Sequence, residues 1–348
     1  MKNVNIFLLV LAVVVAASTS ALSATKKGIA VKVPLIEWTA VASQKGWLQE
    51  EFGKYGATTE LVDVNALKIP GVEASLLDKG DLNFAFRMQY PALQHKLNGL
   101  DAVVVWQSGT APVRRNTLVV LKDAPINSVS DLKGKKAGIW RVSCPYFSAF
   151  EIFKIGGAPL DTDLKKGAVR FVNTSWFAAN QALLAGKLDT ISVHPSSYTA
   201  TPLYTQNLVK EIATSVPNGA YVSGGGRTSI FAARDFAREH PELVKAYISA
   251  YEKTRKWILA NPDAAATIIA RELRMPKHVA KFGIVDSSSY NYVPGEKDWQ
   301  SAVNSIKNFQ EWAVQNGDDF LAKKRLSQAQ IEQFVDRRFF RGGAYSIY

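Results

Sequence analysis

Residues 29–64 read IAVKVPLIEWTAVASQKGWLQEEFGKYGATTELVDV, and the order of apolar and polar positions in this stretch decides the fold. Ile29 to Leu35 alternates apolar residues with Lys32, as a strand does. Ala40 to Tyr55 reads as a helix stopped by Gly56, and Thr58 to Val64 reads as the next strand. Strand, helix and strand in so short a span form a βαβ unit, whose two strands run parallel.

The pattern continues outward. A helix over Val72 to Lys79 ends at Gly80, a strand covers Leu82 to Phe86, a helix covers Ala92 to Asn98 before Gly99, and a strand covers Ala102 to Trp106. After the polar stretch Gln107 to Arg115 a second series begins with a strand over Thr117 to Leu121. Strands over Ala137 to Trp140, Ala168 to Asn173 and Thr190 to Val193 follow, separated by helices starting at Pro145 and Phe177. Alternating strands and helices require a mostly parallel sheet covered on both faces, and two series predict two α/β lobes.

An internal echo supports duplicated architecture. Leu76-Leu77-Asp78-Lys79-Gly80-Asp81-Leu82-Asn83-Phe84 and Leu183-Leu184-Ala185-Gly186-Lys187-Leu188-Asp189-Thr190 share a helix end, a terminating glycine and a strand start, offset by one residue. From Phe231 the pattern turns helical. Pro241 opens a helix with Leu243, Val244, Tyr247, Ile248 and Tyr251 on one face, and further helices cover Trp299 to Val314 and Gln328 to Phe334. Such a helical C-terminal tail is expected to pack onto the first lobe. The chain then divides into residues 1–24, a first part of lobe 1 over 25–110, lobe 2 over 111–222, and a return to lobe 1 with the tail over 223–348. The second crossing holds Pro217, Asn218 and Gly224-Gly225-Gly226, which suit either a hinge or a surface turn.

Residues 1–24 read as a cleavable signal peptide. Lys2 precedes the apolar run Ile6 to Ala17, which is too short to span a bilayer, and Ala21-Leu22-Ser23-Ala24 resembles a cleavage site. The single cysteine, Cys144, leaves no intrachain disulfide, so the core alone must hold the fold. No cysteine stands at the cleavage site, so no lipid anchor is expected and the periplasm is the expected home. The net charge of +12 attracts anions in general. Its basic residues are scattered in short pairs such as Lys135-Lys136, which argues against nucleic-acid binding. His95, His194, His240 and His278 lack metal-ligand spacing, and no phosphate-binding loop or dinucleotide fingerprint is present, so no metal or cofactor is expected.

Ordered landmarks carry a family likeness from about residue 29 to 275. They are Gln44-Lys45-Gly46-Trp47-Leu48, Leu77 to Phe84, Ala124 to Lys136, Phe171-Val172-Asn173, Arg234-Asp235-Phe236, His240 to Tyr247, and Trp257-Ile258 with Asn261-Pro262. In this order and spacing the chain resembles the periplasmic binding proteins of ABC importers that take aliphatic sulfonates, taurine and nitrate, a family related to thiamine-precursor binding proteins. The resemblance implies a two-lobed α/β periplasmic-binding-protein fold, capture of a small organic anion between the lobes, and delivery to ABC permease and ATPase subunits in the inner membrane by a monomer with no enzymatic step. Arg141 matches the family's Lys and Ser143 its first Ser, whereas Cys144 replaces the second Ser and the flanking glycines are gone.

Chemistry at the site is read from the residues themselves. Ser143 and Cys144 precede Pro145 at a helix start, where free NH groups and the positive dipole end favour an anion beside Arg141. Loops at the carboxyl ends of strands nominate Glu37-Trp38-Thr39, Arg87-Met88-Gln89-Tyr90, Trp106-Gln107-Ser108, Asn173 to Trp176, and His194. The ligand set is therefore Trp38, Thr39, Gln89, Tyr90, Trp106, Arg141, Ser143, Cys144, Trp176, His194 and Arg227. Together with Trp140, its aromatic members suit an organic anion, although aromatics at strand ends are also common in cores. An aromatic carboxylate, nitrate or a thiamine precursor are alternative ligands. A rival of another class is a desulfinase-like enzyme with Cys144 as nucleophile, since a helix N-terminus near an arginine favours thiolate.

Overall fold

The computed structural model describes residues 28–64, 66, 71–109, 116–161, 166–195, 197, 199–214, 227–285, 294–315 and 317–348. The expected signal peptide, the glycine triplet of the second crossing and Arg114-Arg115 lie outside the described residues. Strand β1 (Ala30–Pro34) leads into α1 (Glu37–Gln44) and α2 (Trp47–Gly53), then β2 (Thr58–Val62), α3 (Val72–Asp78), β3 (Phe84–Met88), α4 (Gln89–Leu97) and β4 (Ala102–Gln107). The second series runs β5 (Thr117–Leu121), β6 (Lys136–Ile139), α5 (Cys144–Ile155), β7 (Arg170–Asn173), α6 (Trp176–Leu184), β8 (Thr190–Val193), α7 (Thr201–Thr205) and β9 (Val209–Thr214). After β10 (Thr228–Ala233) come α8 (Arg234–Glu239), α9 (Pro241–Ala260), α10 (Pro262–Glu272), α11 (Lys277–Val285), α12 (Trp299–Gln315), α13 (Asp319–Lys323) and α14 (Gln328–Phe334).

The helix expected over Ala40 to Tyr55 is two helices. Gly46 adopts φ +73°, a left-handed conformation that ends α1 and re-aims the chain into α2. Ala40, Val41, Leu48 and Phe52 still reach the core from both pieces. Neither β9 nor β10 is anticipated by the alternation. Both pair antiparallel, β9 at the edge of its sheet and β10 in the middle between β3 and β4.

Those sheets share one plan. The second is ordered β7-β6-β8-β5-β9, with β5 antiparallel to both β8 and β9. The first consists of two hydrogen-bonded pieces, a parallel β1-β2 pair and a three-stranded β3-β10-β4 sheet with β10 antiparallel to both neighbours. The β1 and β3 pieces meet at Asn83, whose side chain accepts from the Lys32 NH at 2.7 Å while its own NH donates to the Lys32 carbonyl at 2.9 Å. The sequence echo has a structural counterpart here. Asp189 makes the same double contact with Lys136, at 2.8 and 3.0 Å, and Gly80 and Gly186 end the preceding helices with φ +74° and +66°.

The core around α9 follows from its apolar face. Tyr247 stacks on Phe84 with ring centroids 3.9 Å apart, and Trp38 lies 4.8 Å from Tyr247 and 5.0 Å from Tyr251. Each such buried aromatic contributes about 1.5–3 kcal/mol relative to exposure. On the other side α14 packs along β4, just before the Asp336 NH donates to the Val104 carbonyl at 2.9 Å, and α12 packs against α13 and α14. Phe309 and Ile306 of α12 enter a core that contains residues of both sheets. The tail therefore covers the first sheet and also reaches the junction with the second.

Candidate functional site

The carboxyl ends of β1, β3 and β4 from the first sheet, and of β6, β7 and β8 from the second, carry the candidate residues. Arg141 follows β6, and its backbone NH donates to Asn173 Oδ1, at the end of β7, at 2.9 Å. Ser143 caps α5: its hydroxyl accepts from the Tyr146 NH at 3.3 Å and donates to the Trp140 carbonyl at 2.6 Å. The Arg141 guanidinium lies 5.4 Å from the Tyr146 ring centre and 5.1 Å from that of Phe171. Its Nη1 bonds Asp319 Oδ2 at 2.5 Å. The position read as an anion site thus holds an anion, and the chain itself supplies it.

Arg227 shows the same behaviour. Its Nη1 pairs with Glu296 at 3.0 Å and reaches Gln107 Oε1 at 3.5 Å. Ser305 of α12 donates to Gln107 at 2.8 Å and accepts from Gln89 Nε2 at 2.9 Å. Gln89 is therefore 3% exposed beneath the tail, where it fastens α12 to the end of β3.

Several aromatic nominees belong to the core and offer no face to a ligand. Trp38 and Trp106 are each 1% exposed, and Trp106 donates through Nε1 to Glu252 at 3.0 Å. Thr39 closes the first turn of α1 by donating to the Pro34 carbonyl at 2.6 Å and accepting from the Ile36 NH at 2.9 Å. Tyr90 is buried against the tail and donates to Asp318 at 2.6 Å. Cys144 is a buried thiol in the first turn of α5, and His194 is buried directly after β8.

Trp176 remains half-buried at the start of α6 and packs edge-on against Trp140, with centroids 5.2 Å apart. Trp140 approaches the first sheet: a methyl placed on Gly71 would lie 3.5 Å from the His95 imidazole and 3.7 Å from the Trp140 ring. Around this junction the structure adds residues absent from the expected set, namely Glu73, Arg87, Gln94 and His95. Arg87 is ion-paired with Glu73, and Gln94 Nε2 donates to the Arg141 carbonyl at 3.3 Å. Burial, aided by the Arg87 charge, pushes the His95 imidazole down to about 4, so it is neutral at pH 7. Burial likewise raises the Glu37 carboxyl, and the Glu73 charge adds to that.

Arg87 Nε, His95 Nε2 and Trp176 Nε1 are buried and have no hydrogen-bond partner among the described residues. Two come from the first sheet's helices and strands and one from the second's. Arg87 lay in a nominated loop, but His95 sits inside α4 at a position that no local pattern marks. Among the described residues, no helix is long and apolar enough to cross a membrane, and no histidine, cysteine and carboxylate group is placed to hold a metal.

Comparison with solved structures gives the same architecture. The alkanesulfonate-binding protein SsuA from Xanthomonas axonopodis pv. citri, bound to MOPS, aligns with a TM-score of 0.67 at 14% identity, over 89% of this chain and 98% of that one. The periplasmic aliphatic sulphonate binding protein SsuA from Escherichia coli aligns at 0.66 and 14% identity, over 89% and 92%. The desulfurization enzyme DSZB aligns at 0.60 and 13% identity, over 87% and 96%. These likenesses show a periplasmic-binding-protein fold of two lobes, which receptors and an enzyme share. No curated protein matches the sequence. The family model described as NMT1/THI5 like matches residues 39–265, well over half of the chain, and the chain belongs to the NMT1/THI5-like family.

Proposed function

We propose that this protein is a periplasmic solute receptor of an ABC importer, which captures a small organic anion such as an alkanesulfonate or taurine between its two lobes. Lobe 1 comprises residues 25–110 and 223–348, lobe 2 comprises 111–222, and residues 1–24 direct export. The receptor works as a monomer and hands its solute to a permease and ATPase in the inner membrane. The carrying observation is the set of unpartnered donors on Arg87, His95 and Trp176: His95 and Trp140 flank Gly71, and Trp176 packs on Trp140. Buried N–H groups without acceptors are costly, and the oxygens of a sulfonate or carboxylate supply acceptors while the indole rings cover its organic part. His95 donates there when its proton sits on Nε2.

No bond is broken in this reading. Cys144 is 5% exposed, and a nucleophile must be reached by its substrate. Replacing Cys144 by Ser is expected to leave affinity unchanged, and product formed by the parent but not by the variant would establish the enzyme instead.

A thermal-shift panel of taurine, longer alkanesulfonates, nitrate, phthalate-like acids and thiamine precursors tests the reading. A ligand of the native state at about 100 times its Kd adds roughly 2.7 kcal/mol, and an organic sulfonate is expected to do so. Stabilisation by neutral or cationic compounds alone would overturn the anionic assignment.

A further inference from the structure

Gly317 is followed by two aspartates that bond to different lobes. Asp318 accepts from the Tyr90 hydroxyl at 2.6 Å, and Tyr90 lies in the first turn of α4, directly after β3 of lobe 1. Asp319 accepts from the Tyr146 hydroxyl at 2.7 Å and pairs with Arg141, and both of those belong to the β6–α5 junction of lobe 2. The two tyrosines stack on each other with centroids 6.1 Å apart. Tyr90, Tyr146, Asp318 and Asp319 are each at most 1% exposed.

The segment carrying the aspartates is itself fixed. The other Asp318 oxygen caps α13 by accepting from the Leu321 NH at 2.6 Å, and Phe309 of α12 packs edge-on against Tyr90 at 6.2 Å. Adjacent Cα atoms are about 3.8 Å apart, so neighbouring side chains have little slack with which to follow two bodies that separate.

We propose that Asp318 and Asp319 form a clasp that sets the angle between the lobes, one residue holding each lobe. A rotation of one lobe against the other must part Tyr90 from Tyr146 or detach one aspartate. The clasp comes from the tail, outside both sheets, and so biases closure without touching the solute. Its role in capture rests on the reading that the solute lies between the lobes, but the clasp itself does not.

Spin labels on Lys79→Cys and Lys187→Cys, exposed positions on opposite lobes, report the interlobe distance in a Cys144→Ser background with no solute added. The parent is expected to give one narrow distribution. The Asp318→Ser, Asp319→Ala pair keeps a cap for α13 and removes both carboxylates, and is expected to shift that distribution and broaden it by about twofold or more. Tyr90→Phe with Tyr146→Phe removes the same two hydroxyl donors and retains the rings. It is expected to act in the same direction and serves as the test if the Asp318→Ser, Asp319→Ala pair does not fold. A folded variant of either pair with the parent's distribution overturns the clasp. A solute panel without hits removes the proposed function and leaves this readout intact.

Discussion

Arg141 and Asp319 meet at 2.5 Å across 178 residues of sequence, with the Tyr146 and Phe171 rings flanking the guanidinium. The pairing converts a helix-start arginine, which local chemistry marks as an anion binder, into the lobe 2 end of a cross-lobe contact. Its neighbour Asp318 reaches lobe 1, so the protonation of this acidic pair bears directly on stability.

Burial, with the Asp319 charge adding to it, raises the Asp318 carboxyl to about 6 despite the bonds from Tyr90 and the Leu321 NH. The folded state therefore binds this proton more tightly than the unfolded chain, and its contribution falls as pH rises from about 4 to 6. His95, pushed down to about 4, does the reverse: the unfolded chain takes the proton first on acidification, so its contribution rises across the same window. The stability advantage of the parent over Asp318→Asn is expected to shrink from pH 4 to 6, and its advantage over His95→Gln to grow from pH 4 to 6.5. Each change amounts to about 1–3 kcal/mol. Urea denaturation at stepped pH measures both, and difference curves that slope the same way with pH would contradict the assignment.

Two tryptophans that look alike in sequence are expected to behave differently. Trp38, locked between Tyr247 and Tyr251, is core, and Trp38→Ala should cost about 3–5 kcal/mol of stability. Trp176 is half-buried on Trp140, and Trp176→Ala should cost less than about 2 kcal/mol of stability. The same change should weaken binding of the solute that the thermal-shift panel identifies by more than about tenfold, or 1.4 kcal/mol. Denaturation and titration of both variants separate the roles, and a Trp176→Ala protein with parental affinity would remove Trp176 from the site.

This contrast shows what sequence periodicity carries and what it leaves open. The alternation of strands and helices in 29–64 and 117–193 is a local consequence of burial on two sheet faces, so the parallel core of each lobe was legible. The echo around Gly80 and Gly186 was legible too, since a left-handed glycine and an acceptor at the next strand are local devices. Strands β9 and β10 were not, because their pairing partners β5, β3 and β4 lie far away in the chain. Arg141 was read as a partner for a ligand anion, whereas its partner in the structure is Asp319, which nothing near it in the sequence names. Trp38 and Trp106 sit at strand ends like true cleft residues, and only the packing of α9 tells that they face inward.

Gly71 separates backbone from contact effects. Its φ of +76° is strained for any other residue, whereas a methyl there would make only ordinary contacts with His95 and Trp140. Gly80 has φ +74° with nothing near its missing methyl. Gly71→Ala and Gly80→Ala should therefore lose a similar 1–2 kcal/mol or so of stability. Only Gly71→Ala is expected to lower solute affinity, by narrowing the junction between His95 and Trp140. Equal affinities in the two variants would place the solute elsewhere.

A double-mutant cycle on Arg141 and Asp319 tests whether the pair acts as one unit. Asp319 is 1% exposed, so Arg141→Ala leaves a buried carboxylate with the Tyr146 hydroxyl but without its cation. Breaking a fully buried pair costs about 3–5 kcal/mol, and a loss of roughly 2–3 is expected here because the Arg141 side chain is a quarter exposed and partly screened. Asp319→Asn alone keeps an acceptor for Tyr146 and should cost less. In the double variant the unpaired charge disappears, so the two losses should fail to add, with a coupling of about 1–2 kcal/mol. Urea denaturation of the four proteins at pH 7 yields the coupling. Additive losses would mean that Arg141 and Asp319 act independently, which leaves the Arg141 guanidinium available to a solute anion rather than committed to the tail.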